Sequence, residues 1–359
     1  MGYDIDFLPV GDKTTTGDAI AVRFGNLHGD RSEQTVIIID GGFQESGEKM
    51  VNFIQDVYKT NEIDLVISTH PDQDHSSGLQ KVLENLFVKK LWMHKPWDHA
   101  DEIKNMFVNG KVTEKSIRED LKKSLEEAKG LEALANKKGI LIEEPFAGKS
   151  EFNGQLLVLS PTENFYNSML PAFRCLPEVK EEKNIFTQTI FKAEEIIKRV
   201  AESLHIETLD DEGETSAENE TSTVLLLSIE GKNLLFTADA GQLALNKVVA
   251  LLKTSNFDFA SLDFVQVPHH GSHRNIGPTL LNDLIGIKLS QGSVLKHAIA
   301  STPTKEDIKH PSKKVTNAFN RRGAPVHTTQ GAHKCHSCES PNRGWQASVA
   351  LPLYQEVEE

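Results

Sequence analysis

Four side chains able to bind a metal ion fall within six consecutive residues of this 359-residue chain, in the run His70-Pro71-Asp72-Gln73-Asp74-His75. Crowding carboxylates and imidazoles in this way is costly unless a cation compensates it. In an extended loop alternate side chains point the same way, so His70, Asp72 and Asp74 can converge while His75 turns towards a neighbouring point. The spacing therefore predicts two adjacent cation sites. The alternative is a polar surface turn shaped by Pro71 and Asp74.

The segments that must position this loop have the pattern of a layered α/β protein. Residues 64–68 are typical of a buried strand and lead directly into the loop, and the β-branched run 36–39 ends at Asp40-Gly41-Gly42. Two further predicted strands, 233–237 and 264–267, end near Asp239 and His270. Helical spacing over residues 50–59 and 79–86 completes the α/β pattern.

Two stretches depart from this pattern and are predicted to be mainly helical insertions into a single domain that spans residues 1–359. The first covers about 98–138, and the second covers about 162–218 with its strongest helical segment at 191–204. Such insertions shape either the substrate cleft or a surface for a protein partner, and both alternatives stay open.

Composition limits the classes of function. The formal net charge of −13 opposes a broad nucleic-acid-binding surface, although a local phosphate-binding cleft remains compatible with it. We see no secretory signal, no apolar run of about 18 residues, and only three cysteines. We therefore expect a cytoplasmic protein without membrane association.

The motifs, in their order along the chain, resemble those of the metallo-β-lactamase superfamily. His-x-Asp-x-Asp-His resembles its His-x-His-x-Asp-His signature; Asp40 matches the residue that supports the metal loop, Asp239 the bridging carboxylate and His270 the last metal histidine. The resemblance implies an α/β fold, the αββα sandwich, carrying the two helical insertions. It also implies two divalent metal ions bound by His70, Asp72, Asp74, His75, Asp239 and His270.

A narrower resemblance is to the hydrolase domain of the bacterial competence protein ComEC, which looks like a nuclease. It rests on Gly17-Asp18-Ala19, Asp40-Gly41-Gly42, the run from His70 to Gly78, and His269-His270-Gly271-Ser272. Lys309-His310-Pro311 matches its Gly-His-Pro segment except for the glycine, which implies that His310 binds substrate phosphate or acts as a general acid. Beside the last ligand, His269, Ser272 and His273 are candidates for binding substrate.

The chain departs from the superfamily pattern at three points. Asp72 replaces a histidine, Ala238 stands where glycine is usual, and the middle metal histidine is missing, since His205 alone lies between Pro161 and Asp239. The polar segment 219–222 matches the ComEC-like pattern there instead. A site with fewer nitrogens and more oxygens shifts metal preference from Zn²⁺ towards Mn²⁺ or Mg²⁺. The alternative is that one of the two sites is weak or empty.

We therefore predict a metal-dependent hydrolase, a phosphodiesterase or nuclease acting on DNA, RNA or a nucleotide. A metal-bridging hydroxide would be its nucleophile, and Asp74 would orient or deprotonate that water. One alternative is hydrolysis of a lactam, a lactone or a phosphorylcholine ester, because one fold hosts many chemistries. Another is a degenerate binding module of the same fold without turnover.

A second polar cluster lies near the C-terminus. Cys335 and Cys338 have the spacing of half a structural zinc site, which His333 or His327 could complete. The alternative is a reduced pair of surface cysteines.

Overall fold

The computed structural model describes residues 1–12, 14–107, 112–177, 199–203, 206–289, 294–304 and 310–358. In these ranges the strands are β1 Gly2–Phe7, β2 Ala19–Gly25, β3 Gln34–Gly41, β4 Glu62–Ile63, β5 Leu65–Ser68, β6 Phe87–Val88, β7 Lys90–Met93, β8 Leu141–Glu143, β9 Ser150–Glu151, β10 Leu156–Ser160, β11 Arg199–Ala201, β12 Val224–Ile229, β13 Lys232–Phe236, β14 Leu262–Gln266, β15 His297–Ala300, β16 Val326–Thr328, β17 Lys334–Cys338 and β18 Glu356–Glu358. The α-helices are α1 Gln44–Asp56, α2 Gln73–Ser76, α3 Leu79–Asn85, α4 Ala100–Ile103, α5 Glu114–Ser124, α6 Glu126–Lys138, α7 Glu163–Met169, α8 Ala217–Glu220, α9 Gln242–Thr254, α10 Pro278–Leu284 and α11 Lys313–Arg321.

Most of the strands form two seven-stranded sheets. The first has the order β17-β1-β2-β3-β5-β7-β8, and the second has the order β16-β15-β14-β13-β12-β10-β9. Parallel pairing joins β3 to β5 in the first sheet and β13 to β14 and β15 in the second. Parallel strands end at the same edge of a sheet, so these pairs bring the segments that follow them together.

Each sheet has one face towards the other sheet and one towards helices. On β3, Ile37 and Ile39 belong to the core between the sheets, whereas Val36 and Ile38 belong to the core under the helices. This is the two-residue alternation of a strand whose faces are both buried, and it explains why the sequence of β3 is continuously apolar. The αββα arrangement expected from the sequence is confirmed.

Helices α4, α5 and α6 occupy much of the segment 98–138. Of the helix predicted at 191–204, residues 191–198 and 204 lie outside the described ranges. The prediction is wrong for residues 199–201, which form β11 and pair antiparallel with β18. Pairing with a strand so distant in sequence overrides local helix propensity. No helix in the described ranges is long and apolar enough to cross a membrane.

Candidate metal centre

The predicted site residues lie at the ends of strands from both sheets. β3 ends beside Asp40 and β5 leads to His70 in the first sheet; β13 leads to Asp239 and β14 to His270 in the second. The side chains at the centre are buried, whereas Asp72, Asp74 and His269 are partly exposed. The edge where parallel strands end thus becomes a polar pocket between the sheets.

Asp40 orients both histidines of the loop. His75 Nδ1 donates to Asp40 Oδ2 at 2.9 Å. Thr69 Oγ1 donates to the same oxygen at 2.6 Å and lies 3.0 Å from His70 Nδ1. With each Nδ1 bound in this way, the Nε2 atoms of His70 and His75 are directed into the pocket as electron-pair donors.

Asp239 lies where these nitrogens converge. Its Oδ2 is 3.9 Å from His70 Nε2 and 3.5 Å from His75 Nε2, and its Oδ1 is 3.7 Å from His270 Nε2. These three Nε2 atoms and Asp239 Oδ1 are buried without a hydrogen-bond partner among the described residues. Buried polar atoms are rarely left in this state, and a cation between them would satisfy all of them.

The carboxylates and histidines in the pocket shift one another's pKa values. Burial raises the pKa of Asp239, but His269, His75 and His270 outweigh it and hold this pKa well below its usual range. Burial lowers the pKa of His75, yet Asp239 and Asp74 raise it well above the ordinary histidine value. Burial also lowers the pKa of His270. A divalent cation would replace the protons that now balance these carboxylates.

The donor atoms fit metal ions. Three triads have ligand atoms within 4.8 Å of one another, and His75 belongs to each: Asp40 with His70 and His75, Asp74 with His75 and His270, and Asp18 with His75 and Asp239. A mixture of imidazole nitrogens and carboxylate oxygens suits Zn²⁺ and Mn²⁺. The residues present therefore fit the metal that the resemblance implies.

Asp72, predicted as a ligand, lies at the rim and is bound by an arginine. Arg174 Nη2 donates to its Oδ1 at 3.2 Å and its Oδ2 at 3.1 Å, whereas Asp72 Oδ2 is 4.0 Å from His70 Nε2. Arg174 also donates to Glu218, through Nε at 3.2 Å. The carboxylate of Asp72 is therefore near the site but engaged elsewhere, and its role as a ligand stays a prediction.

Backbone strain is concentrated at the same place. Asp40, Ala238, His269 and His270 have φ of 55°, 46°, 45° and 57°, values that residues other than glycine rarely adopt. Strained residues of this kind persist where the surroundings hold them, and they cluster at functional sites. Glycine would adopt the left-handed conformation of Ala238 without this strain.

The predicted substrate-binding residues His269, Ser272 and His273 lie in the loop after β14, and they have different surroundings. His269 Nε2 is 3.5 Å from Asp239 Oδ2, as near as His75, while its Nδ1 lies 2.9 Å from Asn275 Oδ1. The hydroxyl of Ser272 accepts from the N–H of Arg274, so it supports the turn. Half-buried His273 has the charges of Arg274 and Lys314 nearby.

His310 reaches the site from the far end of the chain. Its ring centroid is 6.0 Å from that of His269 and 6.3 Å from that of His270. Gly271, with φ of 87°, makes this approach possible, because a Cβ there would lie 2.5 Å from the Cβ of Pro311. The preceding Lys309 and the lone histidine of the middle segment, His205, lie outside the described residues.

Sequence reasoning missed two members of the site. Asp18 Oδ2 lies 3.9 Å from His75 Nδ1, and burial raises the pKa of Asp18 to about 7. Gln266 donates to Asp18 at 2.8 Å and accepts from the backbone N–H of Ala238 at 3.0 Å, which links the two sheets. The motif Gly17-Asp18-Ala19 was a signal for Asp18, whereas a glutamine at a strand end carries none.

The predicted zinc site of Cys335, Cys338 and His333 does not fit the structure. Cys335 and Cys338 lie three residues apart on β17, so their side chains point to opposite faces. Cys335 pairs with Asp6 on the outer face, and Cys338 packs against the core between the sheets. His333 donates to Asp6 Oδ1 at 2.8 Å. The Cys-x-x-Cys spacing brings two cysteines to one zinc ion in a turn, whereas residues 334–338 form a strand, which separates their side chains.

Comparison with known proteins agrees with this architecture. Residues 30–133 match the model of the Metallo-beta-lactamase superfamily, a segment that contains Asp40 and the His70–His75 loop. This segment of the chain is therefore similar to the metallo-β-lactamase superfamily. No curated protein matches the chain.

Among solved structures, the matches have low sequence identity and low TM-scores. A candidate metallo-β-lactamase from Thermotoga maritima is 10% identical with a TM-score of 0.34, over 67% of this chain and 79% of that one. A Cronobacter sakazakii metallo-β-lactamase with the HARLDQ motif is 9% identical with a TM-score of 0.32, over 68% and 71%. The hydrolase AbOPH of the β-lactamase superfamily is 11% identical with a TM-score of 0.34, over 70% and 71%.

Proposed function

We propose that this protein is a metal-dependent phosphodiesterase that binds two divalent cations around Asp239. The observation that carries the proposal is the convergence of three buried Nε2 atoms, from His70, His75 and His270, on one carboxylate at 3.5–3.9 Å. A cation would give each of these buried nitrogens a partner, and buried polar atoms are rarely left without one.

The ligand assignment follows from which atoms face the pocket. His70, His75, Asp239 and His270 are the best-placed ligands; Asp74 and Asp18 add carboxylates at the two sides of His75. When bound, the cations would supply a Lewis acid and lower the pKa of water enough for hydrolysis near neutral pH.

The protein's own groups complete the chemistry. Burial raises the pKa of Asp74, and its carboxylate is one-third exposed, so it can orient the attacking water and take its proton. His310, beside His269 and His270, is placed to protonate the leaving oxygen. Asp40 keeps His70 and His75 in one tautomer and position throughout.

A phosphodiester suits the rim of the pocket better than a neutral ester or amide. His273 lies three residues after His270, and burial together with the positive charges of Lys314 and Arg274 lowers its pKa. Glu358 and Asp210 oppose this effect. Cationic groups near developing phosphoryl charge stabilise it. We take this cationic side of the cleft as the binding place for a DNA, RNA or nucleotide phosphate.

The test is a substrate panel with matched variants. Purified protein is incubated with single-stranded DNA, double-stranded DNA, RNA and cyclic dinucleotides in Mn²⁺, Mg²⁺ or Zn²⁺, alongside His75→Ala, Asp74→Ala and the exposed control His28→Ala. We expect cleavage of at least one phosphodiester by the wild type and His28→Ala, and loss of about 10²-fold or more in the other two. Undiminished cleavage by both site variants would refute the proposal.

The competing functions give different outcomes. Turnover of a lactam, a lactone or a phosphorylcholine ester, with no phosphodiester cleaved, would assign this site to another ester or amide. Fewer than one bound cation after reconstitution, with no turnover, would identify a binding module. The ion pair of Asp72 with Arg174 is the feature that favours this last outcome.

A further inference from the structure

A second group of metal-binding side chains lies at the opposite end of the sandwich. Asp263 is near the start of β14, His297 is the first residue of β15, and His336 lies on β17. Since His269 and His270 follow the other end of β14, the length of that strand separates this group from the centre described above. The ligand atoms of the three residues lie within 4.8 Å of one another.

The contacts inside this group are close and specific. His336 Nε2 lies 3.0 Å from Asp263 Oδ2, and the rings of His297 and His336 are 4.4 Å apart between centroids. The hydroxyl of Tyr3 donates to Asp263 Oδ2 at 2.9 Å and lies 3.0 Å from His336 Nε2. His336 also stacks on Phe264 at 5.4 Å, which holds its ring in place.

The two carboxylate oxygens of Asp263 face different groups. Oδ2 lies beside His336 Nε2 and accepts from the hydroxyl of Tyr3. Lys232 Nζ is 3.5 Å from the other carboxylate oxygen, Oδ1, and leaves Oδ2 facing the histidines.

We propose that Asp263, His297 and His336 bind a divalent cation of the zinc class, with solvent at the fourth position. A cation at this place would replace the proton that His336 Nε2 now shares with Asp263 Oδ2 at 3.0 Å, and the two atoms would need to separate slightly, since two ligand atoms of a tetrahedral zinc ion lie about 3.3 Å apart. Two nitrogens and one oxygen are the donors that Zn²⁺, Co²⁺ and Ni²⁺ accept.

This cation cross-links the two sheets. Asp263 and His297 belong to the second sheet, His336 belongs to the first, and Asp263 and His336 are 73 residues apart in the chain. The three ligands come together only in the folded protein, so binding stabilises the fold by mass action. The site is separate from the hydrolytic centre and does not depend on it.

The test compares His297→Gln with His28→Gln, an exposed histidine that belongs to neither group of ligands. Each protein is reconstituted with Zn²⁺, dialysed and analysed for metal, and its melting temperature is measured with and without Zn²⁺. We expect His297→Gln to bind one zinc equivalent less than wild type, to lose part of the zinc-induced rise in melting temperature, and to keep its metal-free melting temperature. His28→Gln should match wild type.

Co²⁺ substitution gives an independent readout. The spectrum of the wild type minus that of His297→Gln should show the intense visible bands of a tetrahedral cobalt site. The variants Asp263→Asn and His336→Gln, at the two partly buried ligands, should lose the same bands. An unchanged metal count and an unchanged zinc-induced rise in His297→Gln would overturn the proposal. So would the absence of a cobalt difference spectrum.

Discussion

Asp40 Oδ2 accepts a hydrogen bond from His75 Nδ1 at 2.9 Å, and this contact decides which nitrogen of His75 faces Asp239. The same oxygen accepts from Thr69, through which it also orients His70. Asp40 thus controls the orientation of two of the nitrogens in the pocket.

Asp40→Asn should weaken metal binding. An asparagine offers one oxygen acceptor and an NH₂ group that competes as a donor, so it no longer fixes the tautomers of His70 and His75. The affinity for the metal ion should therefore fall about 10–100-fold. Competitive titration with a fluorescent chelator measures the change. Asp64→Asn is the matched control, because Asp64 also accepts a backbone N–H and pairs with an arginine, but at the other end of β3. Equal affinities in the two variants would contradict this role of Asp40.

Arg174→Gln should tighten metal binding several-fold. The substitution removes a positive charge from both oxygens of Asp72 and releases this carboxylate towards the site. Isothermal titration with Mn²⁺ measures the affinity, and Arg118→Gln, which breaks the exposed pair with Glu114, is the control. If Arg174→Gln and Asp72→Asn both bind Mn²⁺ as the wild type does, Asp72 is not a ligand.

Ala238→Gly should be tolerated or stabilising in the metal-free protein. Removing the strain of the left-handed φ of 46° should raise the free energy of unfolding by about 1–2 kcal/mol. The loss of the buried methyl group and the greater chain entropy of the unfolded state partly offset this gain, so we expect a net increase of up to about 1 kcal/mol. Ala240→Gly, at a buried position outside the left-handed region, should instead cost about 1 kcal/mol. Urea unfolding checks both, and equal losses in the two variants would argue against strain at Ala238.

Glu220 should make stability depend on pH. Burial raises its pKa to about 7, above the ordinary 4.5, even though its Oε2 accepts the N–H of Ala244 in α9. The folded state therefore prefers the neutral carboxyl: this contribution is complete below about pH 4.5 and is lost as pH rises to about 7. The rise of this pKa from 4.5 to about 7 corresponds to roughly 3 kcal/mol of unfolding free energy.

Glu220→Gln removes this dependence. Its unfolding free energy should exceed that of the wild type increasingly between pH 4.5 and 7.5, as measured by urea unfolding at several pH values. The exposed Glu230→Gln serves as control. Parallel pH profiles of wild type and Glu220→Gln would show that Glu220 is not the titrating group.

Local pattern in the sequence was enough to predict much of this protein. Apolar runs that stop at polar side chains predicted β3, β5, β13 and β14, and the residues after them, Asp40, His70, Asp239 and His270, do meet. The reason is that strand periodicity and strand ends are encoded within a few residues, and parallel strands bring their ends to one edge.

The tertiary structure alone decided which distant segments touch. It placed Asp18 against His75 and Arg174 on Asp72, turned Cys335 and Cys338 to opposite faces of β17, and brought Asp263, His297 and His336 together from two sheets. Sequence spacing specifies the face of a strand on which a side chain lies. The packing of one sheet on the other decides which residues that face contacts. This packing depends on the fit of the whole core and not on any local run of residues.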